Sequence, residues 1–315
     1  MLLLSRYKYQ ILFLFLLLLH MPYVLAVQYS IESKVTARAE YNDNIFLTSL
    51  PHDDVYSLTV IPLARMVAKE KNWETYLNGK IESNTYSDHN LDHNDIFLDL
   101  SGQYNQERNI YSLSGAYYKI SNLNAQSSDF GTTGRPVKRD QWNIVPQYQR
   151  LITERLIFSL AYNHTDVEFI DAEDTGYVPY ASDTLSGSLV YALTEKDKIN
   201  FILQATDYAS KDNAFEYQLF VTRLGIEHEI SQLWNVDFTI GGSRRNSSNT
   251  TIVSFDFFGQ PILITQTQDF TDKGYVLDTG FKRNLETGYI TGRVSRDNVS
   301  NSFGGLNEVD AIRFV

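Results

Sequence analysis

The sequence predicts an all-β chain, a transmembrane antiparallel up-and-down β-barrel of about 14 or more strands. Three observations predict it. First, Asp140–Thr165 holds two alternating runs joined by a short polar turn. Trp142, Ile144, Pro146 and Tyr148 share one face of the first run, and Leu156, Phe158, Leu160 and Tyr162 one face of the second. The opposite faces are polar and uncharged, with Gln141, Asn143, Gln147, Gln149, Ser159 and Asn163. Side chains alternate across a strand, so the hairpin has two unlike sides. Second, every other connection is short and charged, and the rest are long and rich in Asn, Asp, Ser and Gly. A barrel with tight periplasmic turns and long external loops sorts its connections this way; a soluble sandwich has no reason to. Third, aromatic residues sit at the ends of the apolar faces. Trp73 and Trp234 follow short turns, Tyr148 precedes one, and Trp142 follows a long loop. These are expected to form two interfacial girdles.

In chain order, the first residues read as a secretory signal peptide. Arg6 and Lys8 give a positive start, Ile11 to Leu19 is apolar, and Val24-Leu25-Ala26 suits cleavage. The apolar run is shorter than the roughly 20 residues a spanning helix needs. The expected organisation is residues 1–26 as signal and 27–315 as barrel. The first strand then places Glu32, Lys34, Thr36, Arg38 and Glu40 opposite Ile31, Ser33, Val35, Ala37 and Ala39. Such a polar row suits a hydrated interior, not a packed core. A loop spans Asn42–Asp54. The second strand runs from Val55 to about Ala68, with Pro62 predicting a bulge or a local break in the ladder.

Trp73, Thr75, Leu77, Gly79 and Ile81 alternate with Glu74, Tyr76, Asn78, Lys80 and Glu82. Ile96, Leu98 and Leu100 form the next apolar face, then Tyr111, Leu113 and Tyr117 after the turn Asn105–Asn109. A long polar loop, Ser121 to Arg139, leads into the two-sided hairpin. Beyond it the rhythm continues through the faces Leu185–Tyr191, Ile199–Ala205, Phe215–Val221, Trp234–Ile240 and Tyr275–Phe281. The longest connection is read as Gly242 to Asp272, its apolar patch Ile252–Ile264 suggesting a hairpin extended above the membrane. A strand from Tyr289 to Ser295 and an Asn-, Ser- and Gly-rich loop end the sequence. The final residues, Asp310 to Val315, lack the usual closing aromatic strand, so the reading takes the barrel as incomplete at its C-terminus.

Composition sets bounds on function. The 315-residue chain carries 21 Tyr, no Cys and a net charge of −11. The acidic balance argues against nucleic acid as partner. The absence of Cys excludes a disulfide framework and a lipidated N-terminus. Mean hydropathy is −0.27, which a barrel shows because lipid-facing and lumen-facing residues alternate. Tyr suits the membrane interface, with its ring in lipid and its hydroxyl in water. Two segments offer candidate chemistry. Asp88, Asn90 and Asp92 match the opening ligands of a calcium loop, but His93 stands where glycine is required and no Glu closes it. His164 lies on an apolar face without a nearby serine motif. No metal, cofactor or catalytic residue is expected, and the chain is not expected to be an enzyme.

Several segments carry a family resemblance. Glu40-Tyr41-Asn42-Asp43-Asn44-Ile45-Phe46-Leu47, the hairpin Pro146-Gln147-Tyr148-Gln149-Arg150-Leu151-Ile152-Thr153-Glu154-Arg155-Leu156 ending in Ser159-Leu160-Ala161-Tyr162, and Ser295-Arg296 through Ser302–Glu308 are diffuse but span the mature chain. They resemble the outer-membrane β-barrel porins of exopolysaccharide-biosynthesis operons, including those found with exosortase-type systems. The resemblance implies a bacterial outer-membrane channel supporting exopolysaccharide export or surface assembly. Its implied partners are outer-membrane lipid, polysaccharide and polysaccharide-export proteins. The alternatives are a general diffusion porin and a structural or adhesive surface barrel without conductance. The residues expected to line the lumen are Glu32, Lys34, Arg38, Glu40, Glu74, Lys80, Glu82, Gln147 and Gln149. The girdle is expected at Trp73, Trp142, Tyr148 and Trp234. The charged first strand and the uncharged hairpin together predict an interior that is uneven around its circumference.

Overall fold

A computed structural model describes residues 27–43, 45, 54–121, 137–172, 175–212, 214–252, 265–285, 288–300 and 306–314. Residues 1–26, expected to be a signal peptide, lie outside the described residues. The chain forms one 14-stranded sheet in which each strand pairs with its sequence neighbours. The strands are β1 (Gln28–Asn42), β2 (Val55–Lys69), β3 (Trp73–Tyr86), β4 (His93–Asn105), β5 (Asn109–Ser121), β6 (Lys138–Thr153) and β7 (Leu156–Ile170). They continue with β8 (Tyr180–Ala192), β9 (Asp197–Ser210), β10 (Phe215–Ser231), β11 (Trp234–Ile252), β12 (Thr265–Leu285), β13 (Gly288–Ser300) and β14 (Leu306–Phe314). This is the up-and-down meander of a transmembrane barrel. Among the described residues no pairing joins β1 to β14. Among the described residues no helix is long and apolar enough to cross a membrane; a barrel crosses with strands, which satisfy their backbone groups on each other.

The sheet has two unlike faces. On one stand Ile31, Leu58, Leu77, Leu98, Leu113, Leu160, Leu189, Leu203, Leu224 and Phe238, all among large apolar side chains that are 37–72% exposed. Water would make such a surface a gross aggregation liability; a hydrocarbon solvent accounts for it. The other face holds almost every buried side chain, including Thr59, Asp95, Thr206, Tyr208 and Tyr217. A single sheet shields side chains only on its concave side, so this is the inner face.

Short connections fall at one end of the sheet, joining β2–β3, β4–β5, β6–β7, β8–β9, β10–β11 and β12–β13. Their polar residues build them. The Thr153 hydroxyl accepts from the backbone N–H groups of Arg155 and Leu156 at 3.3 and 3.0 Å. The Thr194 hydroxyl accepts from Lys196 and Asp197 at 3.1 and 3.0 Å and donates to the Asp197 carboxylate at 2.6 Å. Local side-chain bonds of this kind end a ladder in few residues. Bulges beside two of these turns, at Leu151/Thr153 and Glu229/Ser231, take up the extra residue. Pro62 produces a local break, not a bulge. The β2–β3 pairs at Ile61 and Pro62 are missing while the register is the same on both sides, because proline has no N–H to give.

Two expectations need correction. The longest connection is shorter than Gly242–Asp272: β11 and β12 stay paired up to Ile252↔Thr265. The hairpin is longer than expected, and the apolar patch, residues 253–264, lies outside the described residues. The second correction concerns β10. Phe215, Tyr217, Leu219 and Val221 do not continue the outward apolar band. Tyr217 pairs with Tyr208 and both point inward, while Phe220, Leu224 and Ile226 face out with 48–52% exposure. Over Phe215–Leu219 the apolar residues take the inner side and Glu216 and Gln218 the outer one, and the outward apolar set begins only at Phe220, so alternation in this stretch points to the wrong face.

Candidate functional site

The candidate site is the inner wall. Register places all nine expected lumen residues on one face. Gln28↔Lys69, Lys69↔Glu74 and Trp73↔Tyr104 carry the alternation from β1 to β4, and Tyr111↔Tyr148 fixes it in β6. Glu32, Lys34, Arg38, Glu40, Glu74, Lys80, Glu82, Gln147 and Gln149 therefore share a side, opposite Trp73, Trp142, Tyr148 and Trp234. They are not gathered in one cluster. They fall into separate sectors of the wall.

The first sector, β1–β4, is charged and of mixed sign. Arg38 pairs with Glu40 at 3.2 Å, Lys69 with Glu74 at 3.4 Å, and Lys80 with Glu82 at 2.7 Å. The Lys80 ammonium also lies 3.8 Å from the centre of the Phe97 ring. At the boundary with β5, Tyr118 donates to Asp99 at 2.5 Å.

The second sector, β5–β8, is almost free of charge. Polar inward positions include Ser112, Ser114, Gln141, Asn143, Gln147, Gln149, Ser159, Asn163, Thr165, Ser182, Thr184, Ser186 and Ser188, with apolar Ala116, Val145, Ile157, Ala161 and Val190 between them and Arg139 at the far end. The Asn143 amide donates to Asn163 and, at 3.0 Å, to Thr165. Thr184 bonds Thr206 on β9 at 3.0 Å. Amides and hydroxyls both donate and accept, so this wall can exchange hydrogen bonds with water or with a polyol without a net field.

The third sector, β9–β13, is again ionic and was not anticipated. Arg293 reaches Asp237 and Asp278, each at 3.0 Å. Glu227 accepts from Asn235 at 3.0 Å and meets Lys198 at 3.4 Å. The signal was present in the sequence: Asp237 alternates with Val236 and Phe238, and Asp278 with Leu277 and Thr279.

Above this ionic sector, toward the long connections, the inner face turns apolar. Tyr180, Tyr208 and Tyr217 stack with ring centroids 5.0 and 4.7 Å apart. Val167, Leu219, Val221 and Val276 pack with them. On the wall β2–β4 the residues at the same end, Thr59, Asn84, His93 and Asp95, are 1–7% exposed. The inner face is shielded at its outer end and open toward the short turns.

The outer face carries aromatic side chains at both ends, among them the four expected girdle residues. Near the short turns an aromatic row follows the rim: Trp73 pairs with Tyr104. Tyr104 and Tyr111 stand 6.5 Å apart, Tyr111 and Tyr148 5.2 Å, and Trp234 and Phe281 5.9 Å. At the other end Tyr41 meets Tyr56 at 5.2 Å and Trp142 meets His164 at 4.6 Å. Tyr104 and Tyr111 were missed as girdle members, although both flank a short turn on an apolar face. His164 is turned outward and donates or accepts at 2.7 Å with Asp183. Within Asp88–Asp95, Asp88 and Asp92 spend their carboxylates on the turn itself, and Asp95 accepts from the Ser121 backbone at 2.8 Å. Asp88 accepts from the Asn90 backbone at 3.1 Å, and Asp92 from Tyr86 at 2.7 Å and from His89 at 3.0 Å.

The sequence matches no family model and no curated protein. Its fold is similar to that of a solved bacterial polysaccharide outer membrane secretin, at 12% identity and a TM-score of 0.50, over 90% of this chain and 96% of that one. The chain has the outer-membrane β-barrel fold. Weaker likenesses include the ferric yersiniabactin uptake receptor FyuA of Yersinia pestis, at 15% identity and TM-score 0.43 over 90% of this chain and 53% of that one. Another is OmpT, an outer membrane protein of Vibrio cholerae, at 9% identity and TM-score 0.40 over 85% and 97%.

Proposed function

We propose that this protein is exported by residues 1–26, inserts in the bacterial outer membrane, and forms a channel that passes a polar polymer, an exopolysaccharide. The observation that carries the reading is the amide- and hydroxyl-lined sector β5–β8. A sugar chain presents hydroxyls in every direction, and a wall of Ser, Thr, Asn and Gln can trade bonds with it as the chain slides, with no single deep minimum to hold it. The charged sectors on either side, including Glu32, Lys34, Arg38, Glu40, Glu74, Lys80 and Glu82, keep the passage wet. The resemblance to exopolysaccharide-operon porins supports the same reading, as does the likeness in fold to a protein described as a polysaccharide outer membrane secretin. Polysaccharide-export proteins would deliver the chain at the short-turn end, where the inner face is open.

Single-channel recording in planar bilayers tests this. The reading predicts conductance that soluble oligosaccharides reduce in a concentration-dependent way. Large conductance indifferent to oligosaccharides would favour a general diffusion porin. A second reading, a structural or adhesive surface barrel, is favoured by the shielded outer end of the inner face. Zero conductance under all conditions would establish it and sink the channel.

A further inference from the structure

We propose that the first charged sector holds a subsite for one neutral pyranose unit of the polymer, on the inner face between β1 and β5. This deepens the polysaccharide reading and rests on it. A hollow of about 720 Å³ lies here, lined by Glu32, Leu63, Arg65, Asn78, Phe97 and Tyr118 among others. That volume is within the range of small-molecule sites, roughly 300–1,000 Å³.

Two rows of inward side chains build it. Glu32, Arg65, Asn78 and Asp99 are successive partners across β1–β4, and Leu63, Lys80, Phe97 and Tyr118 across β2–β5. The rows lie two residues apart along each strand, roughly 7 Å, so one six-membered ring can touch both. The first row is polar. The second is largely apolar and aromatic, with the Phe97 and Tyr118 ring centroids 6.0 Å apart. A pyranose is divided in the same way, with C–H groups on its ring faces and hydroxyls around its rim.

The polar groups have distinct jobs. Lys80 is held by Glu82 at 2.7 Å and lies 3.8 Å from the centre of the Phe97 ring. Tyr118 donates to Asp99 at 2.5 Å. These contacts fix the aromatic row. Among the described residues Glu32, Arg65 and Asn78 enter no ion pair and no side-chain hydrogen bond, and Arg65 leans over the Tyr76 ring at 5.5 Å. A carboxylate accepts, a guanidinium donates through a planar fork, and an amide does both. Side by side they match neighbouring ring hydroxyls, which donate and accept in turn. Glu32 and Arg65 cancel in charge, so the set calls for a neutral unit. A small zwitterion would satisfy that pair but leave the apolar row uncovered.

The test uses the refolded full-length protein in a detergent without a sugar headgroup, and isothermal titration with maltotriose, cellotriose and diglycine. At least one trisaccharide is expected to bind saturably, and at least about tenfold more tightly than the zwitterion diglycine. Glu32→Gln and Arg65→Gln should each weaken that binding about tenfold, the discrimination one charge-assisted hydrogen bond supplies, while Lys71→Gln at a short turn should not change it. Heat-modifiable migration on gels confirms that each variant is folded. The wild-type comparison of the probes stands even if a variant is not. No saturable trisaccharide binding to the folded wild type, binding that both variants leave unchanged, or diglycine binding as tight as the trisaccharides overturns the subsite. Oligosaccharide block of conductance that persists undiminished in both variants keeps the channel and removes the subsite. Trisaccharide binding that the variants weaken, in a protein that does not conduct, keeps the subsite and removes the channel.

Discussion

Tyr208 and Tyr217 face each other across the β9–β10 pair, ring centroids 4.7 Å apart and planes only 10° from parallel. They are 1% and 2% exposed on the inner side of a wall that is elsewhere polar. The stack fixes the register that turns Phe220, Leu224 and Ile226 outward. Tyr217→Ala empties a buried aromatic site and is expected to cost about 3–5 kcal/mol. The Tyr208 hydroxyl is buried and finds no hydrogen-bond partner. Tyr208→Phe removes that unmet group, so it should be neutral or stabilise by about 1 kcal/mol. Urea unfolding in lipid vesicles, followed by tryptophan fluorescence, measures both.

The two-faced wall predicts opposite responses to the same new charge on one strand. Ile144 faces outward and Gln147 inward on β6. Ile144→Arg should destabilise the folded barrel by about 2–4 kcal/mol, the cost of an arginine toward the bilayer midplane. Gln147→Arg should change stability little, because its side chain meets a polar wall. Matching losses for the two variants would mean that the faces have been assigned wrongly.

Much of this was legible from alternation alone. Three strands with a clearly polar side have that side on one common face: β1 with Glu32 to Glu40, β3 with Glu74 to Glu82, β6 with Gln147 and Gln149. The polar turns gave the connections, and Pro62 announced its broken ladder. Legibility failed where the apolar side changes face within one strand, as at Phe215–Val221, where Glu216 and Gln218 point away from the inner tyrosines. There the choice of face depends on Tyr180 and Tyr208, residues on other strands. It failed again at Gly242–Tyr275, where strands continue past the apolar band on polar residues such as Arg244, Asn246 and Asp272, which read as loop. The ionic sector was overlooked because its members sit on five strands and meet only through register.

Glycine positions give a third prediction. A Cβ at Gly241 would overlap the Thr222 carbonyl oxygen and lie 2.9 Å from Val276. Backbone cannot yield as a side-chain tip can, so Gly241→Ala should destabilise by about 1–3 kcal/mol. At Gly187 and Gly242 nothing lies within 4 Å of the added carbon. Gly187→Ala and Gly242→Ala should be neutral or stabilise by a few tenths of a kcal/mol, through a less flexible unfolded chain. The same unfolding curves decide it.

Acid should loosen the connection between β3 and β4. Asp92 accepts the Tyr86 backbone N–H, and this bond, with help from His89, holds its carboxyl below the ordinary value of 3.8. A folded-state pKa below the unfolded one contributes stability that is fully present above the unfolded value and is lost as pH falls through the folded one. Protection of the Tyr86 amide, its exchange rate taken relative to the intrinsic rate at each pH, should therefore be full at neutral pH and fall only below about pH 4. In Asp92→Asn exchange should be fast at every pH. Protection that is insensitive to acid would contradict the bond.

The central claim is that the inner face bounds a water-filled passage. The chain contains no cysteine, so single thiols can be introduced cleanly. The most direct measurement is the single-channel conductance of Gln147→Cys before and after a charged, membrane-impermeant methanethiosulfonate, beside Ile144→Cys on the same strand. Gln147→Cys should react quickly and its conductance should drop stepwise, while Ile144→Cys should neither react nor change. Equal reactivity at the two positions, or modification at Gln147→Cys that leaves the conductance untouched, would contradict it.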